Sequence, residues 1–94
     1  MSGEGSFKAA KGLIRVLVAI ADDTIGSIQI SGDFFMYPED ALWDMERTLV
    51  GIKTDRTAIL SKVSEFYRST GVLTPGVEPE DFTEAIVRSV ESAE

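Results

Sequence analysis

From Leu13 to Ala21 the chain alternates in strict period two: Ile14, Val16, Val18 and Ile20 fall on one face, Leu13, Arg15, Leu17 and Ala19 on the other. That period is the mark of a pleated strand, and the β-branched content suits one. The second face is less apolar without being polar, which predicts a central strand partly covered on both sides. Asp22-Asp23 reads as a turn. The chain resumes from Thr24 to Ser31, with Ile28 and Ile30 opposite Ser27, Gln29 and Ser31, so the two segments predict a hairpin. Phe7 begins a further short strand. Two strands alone are marginal in water, so helices have to cover them.

Three helical patterns follow. Pro38 at a first helical position, with Glu39 and Asp40 in the first turn, starts one whose stripe is Leu42, Met45 and Leu49, and Gly51 stops it. Thr54 or Asp55 caps a second, with Ile59, Leu60, Val63, Phe66 and Tyr67 on its apolar face and Gly71 at its close. The third starts at Pro79-Glu80-Asp81 and turns Phe82, Ala85, Ile86 and Val90 inward. The predicted class is α+β: a small antiparallel sheet of two or three strands, then three helices packed mainly on one face. Met1 to Ser6, small and polar with two glycines, is expected to be a disordered N-terminus, leaving residues 7–94 as one domain.

Between strand and helix lies Gly32-Asp33-Phe34-Phe35. Adjacent residues of an extended segment point to opposite faces, so one ring is expected in the core and the other outside it. The alternation cannot say which, because a bulge at Gly32 would shift it. Asp33 reads either as a carboxylate capping a turn or as a lone catalytic base; no second acid, base or nucleophile lies nearby in sequence to complete a mechanism. Trp43, off the Leu42-Met45-Leu49 stripe, is either a core-edge residue or a binding hot spot. Val72 and Leu73 either plug the bottom of the core or form a docking edge.

Composition narrows the chemistry. The 94 residues contain neither cysteine nor histidine, which removes disulfides, thiolate metal sites and the commonest general base. A net charge of −7 argues against nucleic acid. The charge is uneven: Lys8, Lys11 and Arg15 against Glu4 give residues 1–21 a sum of +2, and the remainder carries −9. That basic strand is either a solvated edge or a contact for a partner's acidic rim or bound phosphates. Gly3-Glu4-Gly5, Gly71…Gly76 and Lys11-Gly12 lack the spacing of a phosphate loop. No apolar run reaches the ~18 residues of a membrane span, and nothing at the start reads as a signal peptide, so a cytoplasmic protein is expected.

Gly32-Asp33-Phe34-Phe35, preceded by Gly12-Leu13-Ile14-Arg15-Val16 and followed by Pro38-Glu39-Asp40, resembles the C-terminal accessory domain of lipoate–protein ligases. Leu49-Val50-Gly51 and Pro75-Gly76-Val77 fit the same domain, so the resemblance runs from about Lys8 onward. In many bacterial members a glycine follows the two aromatics; here Met36-Tyr37 do. The resemblance implies a fold like that of iron–sulfur scaffold proteins without their cysteines. The catalytic domain that normally precedes the module is not in this sequence, which looks like the split, two-protein archaeal form.

The function so implied is that of a non-catalytic accessory subunit, needed for ATP-dependent activation of lipoate to lipoyl-adenylate before transfer to the lysine of a lipoyl-acceptor domain. ATP, lipoate and Mg²⁺ would sit on the large catalytic subunit, with no catalytic, cofactor or metal residue on this chain. The acceptor domain would be met only indirectly. Candidates for the partner interface are Lys8, Lys11, Arg15, Gly32, Asp33, Phe34, Phe35 and Trp43. A free-standing interaction module using the same aromatic surface for another partner is the alternative.

Overall fold

The computed structural model describes residues 1–94. Strands β1 (Ser2–Ala9), β2 (Gly12–Ala21) and β3 (Thr24–Asp33) form an antiparallel meander in that spatial order, followed by helices α1 (Ala41–Leu49), α2 (Arg56–Thr70) and α3 (Pro79–Glu91). Asp22 and Asp23, both at positive φ, make the two-residue turn whose twist matches the strands it joins. This is the α+β order the periodicities predict, with three strands.

All three helices lie on one side of the sheet. Ile14, Val16 and Val18 of β2 and Ile25 and Ile30 of β3 pack with Met45 and Leu49 of α1, Ile59, Val63 and Phe66 of α2, and Phe82 and Ile86 of α3 in one buried cluster. The opposite face is open. There the register sets Ser6, Arg15 and Ser31 in one row across the sheet, and Lys8, Leu13 and Asp33 in the next. The partial cover expected on the second face of β2 reduces to half-burial of Leu13 and Ala19, while Arg15 and Leu17 are exposed. A register shift falls at Ala19/Ile20, where Gly26 is the extra residue of β3, so the bulge lies far from Gly32.

Residues 1–6 depart from the expected disorder: Ser2 to Ser6 are paired in β1 against Ala19 to Arg15 of β2. The reason is long-range. Gly3 and Gly5 face α3 so closely that a Cβ on either would strike the backbone of Ser89. Two glycines on one face of a strand thus form a shelf on which α3 lies. The Ser92 hydroxyl bonds both the N–H and the C=O of Glu4 at 3.0 and 2.7 Å, and Ser2 and Glu94 exchange backbone bonds. The Arg88 guanidinium donates to the Ser6 carbonyl at 3.1 Å and stacks over the Phe7 ring.

The edge of β3 is managed similarly. The Glu46 carboxylate of α1 accepts the Ile30 N–H at 2.6 Å, and Gly51 and Ile52 exchange bonds with the backbone of Ile25. The β1 edge is thus taken up by the C-terminal end of the chain, and the β3 edge is met at Ile25 and Ile30.

Helix boundaries follow the predicted chemistry at α2 and α3. The Asp55 carboxylate accepts the Ala58 N–H at 2.7 Å, and Gly71, left-handed, ends the helix. Pro79 is the first residue of α3, and Asp81 reaches back to the Glu78 N–H at 2.7 Å. Pro38 differs: it lies in a turn, its carbonyl taken by the Ala41 N–H, and α1 begins only at Ala41. Tyr37, just before it, is held in a β-bridge to Leu73.

Candidate protein interface

The end of the sheet where β3 leaves it gathers most of the candidate residues. Gly32 sits at φ +143°, and a Cβ there would collide with the Leu13 carbonyl oxygen, so only glycine allows β2 and β3 to close up at this point. The alternation set by Ile28 and Ile30 continues through Gly32 to Phe34 and Met36. Phe34 is half-buried and meets Phe82 edge-on, ring centroids 5.3 Å apart at 88°. Met36 is buried. Phe35 and Tyr37 consequently point outward, 67% and 50% exposed, with parallel rings 6.5 Å apart. Of the two aromatics, Phe34 is the core ring.

Tyr37 and Leu73 exchange both backbone bonds, at 2.9 and 3.0 Å, as a hydrogen-bonded antiparallel pair does. Residues paired in this way present their side chains on the same side. Leu73, 64% exposed, therefore extends the surface of Phe35 and Tyr37, while its neighbour Val72 is buried. Of the two, Val72 alone plugs the core, and Leu73 faces outward.

The loop is pinned from beneath. The Thr74 hydroxyl donates to the Val77 carbonyl at 2.7 Å and so receives the Tyr67 phenol, also at 2.7 Å. Burial is the main reason the Tyr67 hydroxyl is pushed up to about 12; the Thr74 bond opposes it, and the nearby carboxylates of Glu78 and Asp81 add to it. Lys11, in the β1–β2 turn, donates its N–H to the Gly76 carbonyl at 3.1 Å and lays its stem against Gly76.

Lys8, Lys11, Gly32, Asp33, Phe34 and Phe35 thus meet at one end of the sheet. Arg15 lies one row further along the open face, flanked by Ser6 and Ser31. Lys8, Lys11, Arg15 and Asp33 are all exposed. Trp43 stands apart on α1, 64% exposed on the flank it shares with Arg47 and Val50, while Ala41, Met45 and Leu49 face inward. Sequence reasoning left Tyr37 out. The signal was present in the continued period Phe35-x-Tyr37, but its pairing with Leu73 spans 36 positions and leaves no local mark. A small cleft of about 280 Å³ lies between the end of β3 and α1, lined by Gly32, Phe34, Met36, Glu39 and Leu42. Chemically, this end offers aromatic and aliphatic surface with ammonium groups beside it, which suits contact with another protein.

The family described as "Bacterial lipoate protein ligase C-terminus" matches residues 4–86. The Lipoate-protein ligase A subunit 2 of Thermoplasma acidophilum is 47% identical over 81 residues, covering 86% of this chain and 83% of that protein. A chain in the solved structure of an archaeal lipoylation system, a bi-partite lipoate protein ligase and its E2 lipoyl domain from the same organism, matches with a TM-score of 0.85. The two are 45% identical, over 92% of this chain and 94% of that one.

Proposed function

Because the chain belongs to the family of lipoate–protein ligase C-terminal domains, we propose that it is the non-catalytic accessory subunit of a two-protein ligase, needed for ATP-dependent activation of lipoate. The observation that carries this is its 47% identity to a protein named as subunit 2 of such a ligase. In this reading a lipoate carboxylate oxygen attacks the α-phosphorus of ATP on the catalytic subunit. The bond from that phosphorus to the oxygen bridging it to the β-phosphorus breaks, and pyrophosphate leaves. The lysine amine of an acceptor domain then attacks the adenylate's carbonyl carbon and AMP departs. Both proteins work in the cytoplasm.

In this reading the chain supports chemistry that takes place on its partner. Its glycines at Gly3, Gly5 and Gly32 serve close packing of backbone against backbone. Its part is to order the partner's loops over the charged intermediate and keep water from it. Titrating this protein into the catalytic subunit tests the partnership. A saturable one-to-one complex is expected; no binding would return the chain to the class of interaction modules with another partner.

A further inference from the structure

The apolar patch at the end of the sheet is not something folding demands. Phe34 and Met36 fill the core from this segment, and the edge contacts show that the chain closes its own backbone where it can. Yet Phe35, Tyr37 and Leu73 are all exposed on the outside, Phe35 stacked with Tyr37 and the backbone of Tyr37 bridged to that of Leu73. At their exposures these three side chains present roughly 300–400 Å² of apolar surface, within the range of the largest patch on a typical single chain, which is often a functional one. We infer that the catalytic subunit docks on Phe35, Tyr37 and Leu73, with Lys8 and Lys11 beside the contact. This rests on the accessory role proposed above.

Charge selects that occupant over a second copy of this chain. A standard interface buries about 800 Å² per partner around an apolar centre, and the patch is the size of such a centre. Two copies would bring together bodies of net charge −7 each, with their lysines facing one another. A partner whose surface is apolar in the middle and acidic at one margin meets Lys8 and Lys11 without that repulsion. The open sheet face competes poorly, since Leu17 is its one large exposed apolar side chain among serines, Gln29 and charges.

Calorimetric titration of the catalytic subunit with four variants tests this. Phe35→Ala and Leu73→Asp should each weaken Kd by about 30-fold or more, as truncated hot spots do. Leu17→Ser, on the open face, should stay within about twofold. Lys11→Glu should weaken binding at low salt and lose that effect as salt is raised. All four alter exposed positions, and unchanged melting curves confirm that each variant is folded. If the wild type binds and the Phe35 and Leu73 variants bind equally well, the docking site is wrong and the accessory role stands. If the wild type does not bind, the accessory role itself has failed. A wild-type dimer by light scattering that Leu73→Asp dissociates would assign the patch to self-association and overturn the inference.

Discussion

Replacing each aromatic of Gly32-Asp33-Phe34-Phe35 by alanine should produce two different kinds of variant. Phe34→Ala removes a half-buried ring and its edge-on contact with the fully buried Phe82. A completely buried Phe truncated to Ala costs ~3–5 kcal/mol. Partial burial lowers that, and the lost aromatic pair, worth ~0.5–1.5 kcal/mol, is already part of it. The expected cost is therefore about 3 kcal/mol. An unfolding entropy near 2.1 cal/mol/K per residue gives about 0.2 kcal/mol/K for a chain of this length, so Tm should fall by about 15 °C. Phe35→Ala removes an exposed ring that touches only Tyr37 within the chain's aromatic set. Its cost should stay within about 0.5 kcal/mol, a shift of at most ~3 °C. Thermal melts followed by circular dichroism, with urea titrations to check that m is unchanged, measure both. Equal destabilisation by the two would refute the in–out assignment and make the aromatic pair wholly structural. A larger loss for Phe35 would invert it.

Gly5→Val should destabilise by several kcal/mol or prevent folding, because its branches would enter the α3 backbone at Arg88–Ser89, whereas Ser6→Val on the opposite face should melt within a few degrees of wild type. Tyr67 supplies a pH test: its hydroxyl is pushed to about 12 in the folded chain, against 10.0 ordinarily. Between those values the unfolded chain has released a proton that the folded chain keeps. The stability tied to Tyr67 is thus whole below pH 10 and is lost as pH rises toward 12, at up to ~1.4 kcal/mol per pH unit. Tyr67→Phe should flatten that part of the wild-type curve. It should also cost ~0.5–1.5 kcal/mol at neutral pH, since Thr74 keeps its bond to Val77.

The elements legible in the sequence are those whose cause is local. The alternation of β2 and β3, the Asp55 cap and the Pro79 start each depend on neighbours a few positions away, and each matches the structure. β1 was illegible beyond Phe7 because Ser2 to Ser6 bury almost no side chain. They are held by glycines against α3 and by Ser92 and Glu94, some 90 positions away. Pro38-Glu39-Asp40 and Pro79-Glu80-Asp81 look alike, yet only the second opens a helix; Pro38 lies in a turn that follows the long-range Tyr37–Leu73 bridge, and α1 begins at Ala41. At the candidate interface, the opposed directions of Phe34 and Phe35 follow from the pleat alone. Which ring turns inward needed the unbroken register through Gly32, and the joining of Tyr37 to Leu73 needed the folded chain.

The proposed accessory role is tested most directly by pyrophosphate release from ATP and lipoate, measured with this protein alone, the catalytic subunit alone, and the two mixed. The expected result is release in the mixture far above the sum of the separate reactions, saturating at one equivalent of this chain and weakened by Phe35→Ala in step with its loss of binding. Full adenylation by the catalytic subunit without this chain, or robust release by this chain alone, would contradict the account.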